Sequence, residues 1–258
     1  YKREEIFRQE GWNYHLEQKE GPLKYNGVVY NEMKGAFSSP DEVLEREIMN
    51  HLFPDTTYGC ESGGDPKNIP DLTYENFLNF HRTYYHPSNS YIYLYGNMDM
   101  EEKLAFLDEH YLSHFDYLDV DSVIQEQKAF GACRDVTLEY PVAENEGEED
   151  NTYLSYNMVV GNAADSQMAM AFEVLDYALL SAPGAPLKQA LLDVKAGKDV
   201  YGSYDDGILQ PYFTVIAKGS NPDRKEEFVS VIRQVLGDIV KNGIDRKAVE
   251  AGINYFEF

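Results

Sequence analysis

The sequence has little of what several common classes of protein require. Its 258 residues include two cysteines and one tryptophan, and 22 basic side chains stand against 45 acidic ones. Two thiols in a chain of this length exclude a disulfide framework and a Cys-x-x-Cys metal knuckle. We expect Cys60 and Cys133 to be reduced, structural residues, which favours the cytoplasm. No stretch approaches the roughly 18 apolar residues of a membrane-spanning helix.

The scarcity of basic residues limits the possible partners. A formal net charge of −23 argues against nucleic acids and anionic membranes, because too few cations are present to neutralise phosphate groups. The same charge suits a soluble protein, and it would attract basic peptides over long range. Solubility alone explains the charge equally well.

Hydrophobic periodicity predicts an α+β fold of two partial units, each a mainly antiparallel sheet packed with helices. Residues 116–135 show no period and indicate a linker. The first predicted helix ends near Trp12, and helical patterns follow at 28–52 (with a break at 38–42), from Thr73 to His86 and from Met100 to Phe115. In the second half of the chain, helices are predicted at 166–180 and 187–196, and two more begin at Asn221-Pro222 and at Asp245. The predicted strands are 90–95, 136–140, 152–160 and a pair joined across Asp205-Asp-Gly207.

Four short phrases occur in a specific order in the first third of the chain. They are Phe7-Arg-Gln-Glu-Gly-Trp12, Asn31-Glu-Met-Lys-Gly35, Gly63-Gly-Asp-Pro66 and Tyr84-Tyr-His-Pro-Ser-Asn89. Together they resemble the presequence-protease branch of the insulinase (pitrilysin-like) family of zinc metallopeptidases. Beyond these phrases, only the order of elements matches the family.

The resemblance implies a zinc site to which this chain contributes one ligand. In the family, the glutamate of the Asn-Glu-Met-Lys-Gly phrase binds zinc, and this residue is Glu32. A His-x-x-Glu-His motif supplies two further ligands and the general base, and this motif is absent from the sequence. We therefore expect no catalytic residue in this chain, with the general base upstream, and zinc absent or weakly held by the chain alone.

The resemblance also implies how the chain divides. Residues 1–118 correspond to the C-terminal half of the first, zinc-bearing peptidase domain, 119–135 to a linker, and 136–258 to the N-terminal part of the second peptidase-like domain. Both ends fall inside helical patterns without caps. We therefore expect an internal fragment of a larger enzyme, produced by truncation or proteolysis.

Glu10 is a second candidate near the metal. An acid beside a zinc site can orient a ligand through a hydrogen bond, but a charged residue at a helix end beside a buried Trp12 explains Glu10 equally well. Related branches of the family carry an acid seven positions before the zinc glutamate. That position is Tyr25 here, so this pairing is not carried over.

Three other patterns have simpler explanations. His110 and His114 are spaced as a zinc-binding pair on a helix, but no glutamate lies between them, and packing at the edge of the core is the favoured interpretation. The Gly63-Gly-Asp-Pro66 phrase lacks the ending of a phosphate loop and predicts a tight turn. The acidic run 144–150 predicts a solvated hairpin tip, with a cation site as the alternative.

The predicted function is that of a zinc metalloendopeptidase fragment. By resemblance, the parent encloses unstructured peptides of the presequence or oligopeptide type in a closed chamber, and its partners are those peptides and the remaining segments of the same polypeptide. The fragment alone is expected to be inactive. The alternative is a non-catalytic homologue that acts as a scaffold or peptide-binding subunit.

Overall fold

The computed structural model describes residues 2–142 and 146–257, and it divides into two compact units. Unit 1 comprises the described residues up to Ser39 together with Cys60–Gln125, and unit 2 comprises Pro40–Gly59 and the described residues from Glu126 onward. The chain thus passes from unit 1 into unit 2 and back before it enters unit 2 again. We call Pro40–Gly59 the strap.

The elements of regular structure follow one another in both units. In chain order they are α1 (Glu4–Glu10), β1 (Asn13–His15), β2 (Lys24–Asn26), α2 (Val28–Ala36), α3 (Pro40–Leu52), α4 (Tyr74–Tyr84), α5 (Met100–His110), β3 (Thr152–Val159), α6 (Ser166–Asp176), α7 (Pro186–Asp193), β4 (Asp199–Asp205), β5 (Tyr212–Ser220), α8 (Lys225–Asn242) and α9 (Arg246–Glu257). A π-helical turn, Tyr177–Ser181, continues α6. None of the helices in the described part of the chain is long and apolar enough to cross a membrane.

Unit 1 is mainly helical and has a small aromatic core. Strands β1 and β2 pair antiparallel, and the buried side chains of Phe7, Trp12 and Ile69 pack together beside them. The indole N–H of Trp12 donates to the carbonyl oxygen of Leu72 at 2.8 Å. Next to this bond, Thr73 forms a capping box with Asn76 that begins α4, because each side chain satisfies a backbone N–H of the other residue.

Unit 2 is built around a three-stranded antiparallel sheet in the order β3-β5-β4. Strand β5 lies in the centre, and residues 212–217 are all buried, as expected for a strand covered on both faces. Alternate residues of β5 point to opposite faces. One face packs against the main core, whose buried members are Leu154, Leu179, Leu180, Leu187, Leu191, Ala196, Val200, Phe213, Val215, Ala217, Phe228 and Ile232.

The strap covers the other face of this sheet. Ile48 and Phe53 of the strap form a second buried cluster with Tyr212 and Ile216 of β5. The sheet therefore lies between helices of unit 2 on one side and the strap on the other. The sequence did not predict this pairing, and the division at 118 and 136 stays a prediction about the family's domains.

The α+β fold is confirmed, and so are several of its elements. Helices occur within 28–52, 74–84 and 166–193, strand β3 lies where it was predicted, and β4 and β5 pair across the Asp205-Asp-Gly207 loop with Asp205 opposite Tyr212. Helices α8 and α9 begin close to the predicted starts.

Other predictions were wrong. The segments 90–95 and 136–140 form no strand in the described residues, because an alternating pattern becomes a strand only when a neighbour accepts its backbone hydrogen bonds. The side chains of Tyr91, Tyr93 and Tyr95 are accordingly exposed. Cys60 and Cys133 are free, but both are exposed and neither contributes to a core. The predicted tip at 144–150 lies partly outside the described residues.

Candidate functional site

The candidate zinc ligand lies on a helix whose first turn is fixed by backbone contacts. Glu32 is an exposed residue of α2, which begins after Gly27. Gly27 has φ +147°, and a Cβ there would lie 2.3 Å from the carbonyl oxygen of Gly11. Only glycine fits this conformation and this contact. The N–H of Tyr30 donates to the same Gly11 oxygen at 3.2 Å, so the start of α2 is held against the end of α1.

A glycine turn contacts the residue that follows Glu32. A Cβ on Gly63 would lie 2.3 Å from the sulfur of Met33, so this glycine lets the turn pack directly on α2. Gly64 adopts φ +93° and its N–H donates to the carbonyl oxygen of Glu61 at 3.0 Å. The Gly63-Gly-Asp-Pro66 phrase thus forms the predicted tight turn, and it supports the helix that carries Glu32.

The groups around Glu32 do not by themselves make a metal site. No hydrogen bond or ion pair to its carboxylate occurs among residues 2–142 and 146–257, and the same residues contain no group of three or more His, Cys, Asp or Glu side chains that could hold a metal ion. Catalytic zinc takes three protein ligands and leaves one position open. One carboxylate is therefore too small a donor set, and the chain alone does not fit zinc.

Glu10 is connected to α2 through the next residue in the chain, Gly11. It is the last residue of α1, it is exposed, and its carboxylate accepts a hydrogen bond from the side-chain amide of Gln9 at 3.1 Å. The adjacent Gly11 contacts Tyr30 of α2. The elements that carry Glu10 and Glu32 are thus joined, while the role of Glu10 toward a metal ligand stays a prediction.

The histidine pair does not share a helix face. Helix α5 ends at His110, Tyr111 leaves the helical conformation with φ −138°, and His114 belongs to a separate 3₁₀ turn. Both side chains are exposed, which corrects the predicted packing at the core edge. His110 instead contacts Phe106 on the surface, with ring centroids 4.6 Å apart.

Sequence reasoning missed a polar cluster in unit 2. The Asp41 carboxylate accepts hydrogen bonds from Lys218 Nζ at 2.7 Å, from the Tyr201 hydroxyl at 3.1 Å and from the Tyr153 hydroxyl at 3.4 Å. The Lys218 hydrogen bond lowers the pKa of Asp41 and Asp41 in turn raises the pKa of Lys218. Burial, with Asp41 close by, raises the pKa of Tyr201 to about 12.

A second missed group lies at the end of α6. Burial, with Glu173 one turn earlier, raises the pKa of Asp176 to about 6, and its Oδ1 atom is buried without a hydrogen-bond partner in the described part of the chain. Burial, followed by the charge of Asp206, also raises the pKa of Glu173. Both acids precede the π-helical turn that continues α6.

Comparisons with known proteins identify relatives along the whole chain. The family model described as the peptidase M16 inactive domain matches residues 71–256. The chain is 51% identical to the protein HypA of Clostridium perfringens over 258 residues, which is 100% of this chain and 26% of that protein. It is 38% identical over 256 residues to presequence protease 1, chloroplastic/mitochondrial, of Arabidopsis thaliana, covering 98% of this chain and 24% of the relative.

Solved structures share the fold at low sequence identity. A putative M16-like peptidase from Alicyclobacillus acidocaldarius is 18% identical with a TM-score of 0.55, over 89% of this chain and 53% of that chain. The peptidase M16 inactive domain from Pseudomonas fluorescens is 17% identical with a TM-score of 0.58, over 89% and 54%. The chain spans about a quarter of the length of these curated relatives.

Proposed function

The chain belongs to the peptidase M16 family, and from that premise we propose that it is a segment of a zinc metalloendopeptidase that degrades unstructured peptides. Its relatives include presequence proteases, and this agrees with the resemblance carried by the four sequence phrases. Those peptides and the remaining segments of the same polypeptide are its proposed partners. A cytoplasmic location stays a prediction, because some of the relatives are named as mitochondrial proteins.

One observation carries this proposal. Glu32 stands in the Asn-Glu-Met-Lys-Gly phrase on a helix that is fixed at its first turn by Gly11 and Gly27 and beside Glu32 by Gly63. A metal ligand needs such support, because a carboxylate must be held within tenths of an ångström of its position. We assign Glu32 as one zinc ligand of the intact protein. The other ligands and the general base would come from outside this chain.

A non-catalytic scaffold or peptide-binding subunit is the second candidate. The matching family model is that of an inactive domain, and its match begins at residue 71, after Glu32. This observation favours a structural role for most of the chain. The two candidates differ in one property that can be measured directly, which is whether the intact protein binds zinc through Glu32.

The test compares the intact protein with its Glu32→Gln and Glu75→Gln variants. Glu75 is an exposed residue of α4 in the same unit and serves as the matched control. We expect about one zinc per intact protein by elemental analysis and cleavage of an unstructured fluorogenic peptide. Loss of a direct ligand should lower zinc affinity and cleavage by at least about 100-fold, while Glu75→Gln keeps both.

Two outcomes would reject the assignment. A parent protein without zinc and without cleavage would leave the scaffold role as the better account. A parent protein that cleaves peptides with full zinc content in the Glu32→Gln variant would show that another residue binds the metal. The 258-residue chain, titrated with zinc on its own, should show no tight binding and no cleavage.

A further inference from the structure

The strap makes an interface within unit 2 that has the composition of a protein–protein contact. Phe53 is fully buried, its ring lies 6.0 Å from that of Tyr58 and 6.2 Å from that of Tyr212, and Ile48 packs in the same cluster. A buried aromatic anchor at the centre of an apolar patch is the usual energetic core of such an interface. Residues Leu44, Met49 and Leu52 of the strap pack around it.

Polar contacts fix the beginning of the strap to the sheet. Asp41 accepts one hydrogen bond from each of the three strands, from Tyr153 on β3, Tyr201 on β4 and Lys218 on β5. The ammonium group of Lys218 also lies 5.2 Å from the centre of the Tyr153 ring. A single carboxylate thus bonds to the full width of the sheet.

Amide hydrogen bonds fix the end of the strap. The backbone N–H of Asp55 donates to Gln127 Oε1 at 2.9 Å, and Gln127 Nε2 donates to the Asp55 carboxylate at 2.7 Å. The Tyr58 hydroxyl accepts from the backbone N–H of Leu209 at 3.1 Å. Gln127 is itself buried and its backbone carbonyl oxygen accepts from Gln210 at 3.2 Å. Asp55 is exposed, so these bonds are partly open to water, and their value lies in their specific geometry.

We propose that the strap is a docking segment, which residues 126–257 bind as they would bind a separate partner. An apolar centre with polar contacts at both ends is the typical composition of a protein–protein interface. Residues 126–257 are therefore held by the strap as well as by the covalent connection through residues 116–125. The proposal concerns this contact alone and does not depend on peptidase activity.

The experiment breaks the covalent connection and leaves the strap in place. A specific protease site is inserted between Val123 and Ile124, where Val123 is exposed and neither residue belongs to a helix or strand. The folded chain is cleaved and passed through a size-exclusion column at a series of concentrations. We expect the two pieces to elute together at micromolar concentration, and their separation there would overturn the proposal.

Variants show whether the strap is responsible for retention. Phe53→Ala removes the anchor and should weaken association by about 100-fold or more, as large-to-small changes in cores do. Asp41→Ala removes the bonds to three strands and should also weaken it. Phe80→Ala, at an exposed position of α4 in unit 1, is the control and should elute as the parent chain does.

A folding measurement keeps the result interpretable. Circular dichroism of each uncleaved variant establishes that the sheet is present before cleavage. If Phe53→Ala does not fold, Asp41→Ala is used as the strap variant in its place. Separation of a folded strap variant, with retention of the control, supports the proposal. Retention of both folded strap variants at every concentration would show that other contacts hold the pieces together, and would refute it.

Discussion

Asp176 should make unit 2 less stable at neutral pH than at mildly acidic pH. Its carboxyl is partly buried, Oδ1 lacks a hydrogen-bond partner among the described residues, and its pKa rises from an ordinary 3.8 to about 6. A folded-state pKa above the unfolded one means that the folded chain binds the extra proton. The contribution of this group to stability is therefore full below about pH 4 and is lost as the pH rises through 6.

The size of the effect follows from the same pKa values. The difference between 3.8 and about 6 corresponds to roughly 3 kcal/mol at 25 °C. The side chain is partly open to water, and screening reduces the expected effect to about 1–2 kcal/mol. Asp176→Asn removes the charge and keeps the shape, so the variant should be more stable than the parent by this amount at pH 8. At pH 5 about half of the advantage should remain, and it should nearly vanish only at about pH 4 and below.

The assay is urea unfolding at pH 4, 5, 6, 7 and 8, followed by far-ultraviolet circular dichroism. Fluorescence of Trp12, the chain's single tryptophan, reports unit 1 separately and should not change. Asp238→Asn, at an exposed position of α8, removes the same charge without burial and should have little effect. A stability gain that does not depend on pH, or a loss of stability at pH 8, would show that burial of Asp176 does not disfavour its charge.

Three further predictions concern contacts described above. Gly27→Ala should destabilise unit 1 by several kcal/mol, because the added Cβ would lie 2.3 Å from Gly11 in a conformation that favours glycine; unchanged urea unfolding by tryptophan fluorescence would contradict this. Thr73→Ala removes a capping box and should cost about 1 kcal/mol in the same assay, whereas Thr73→Ser should retain most of it. The pKa of Asp41 is lowered chiefly by Lys218, so its ionised carboxylate stabilises the folded chain. This contribution to the free energy of unfolding should be present above pH 4 and lost as the pH falls below the ordinary pKa of the group. A difference in stability between the parent and Asp41→Asn that grows on acidification would refute this.

Elements with strong local signals could be predicted from the sequence. The loop at Asp205-Asp-Gly207 fixes a pair of adjacent strands, and Asn221-Pro222 precedes α8, because turn chemistry and helix starts depend on neighbouring residues. The helical pattern that begins near Val28 likewise placed Glu32 on a helix. Features of this kind need no knowledge of distant parts of the chain.

Features that depend on distant partners could not be predicted. The pattern of α3 indicates an apolar face, but not that this face packs on β5, whose residues come more than 150 positions later. Asp41 stands in the first turn of a helix, where an acid is expected for the helix dipole alone, so its bonds to three strands leave no local signal. Residues 90–95 do alternate as a β-strand does, but the alternation cannot show whether a neighbouring strand is present to pair with them.

The exposed tyrosines of 90–96 have a consequence for handling the chain. Ser90-Tyr-Ile-Tyr-Leu-Tyr-Gly96 has no charge and no proline, and its side chains at 91, 93 and 95 are open to solvent. Uncharged, β-prone segments of this length associate edge to edge with copies of themselves. The net charge of −23 opposes that association only while repulsion between molecules is long-ranged, and salt shortens its range to about 10 Å at 0.1 M. The chain should therefore remain dispersed in dilute buffer and aggregate as salt is added.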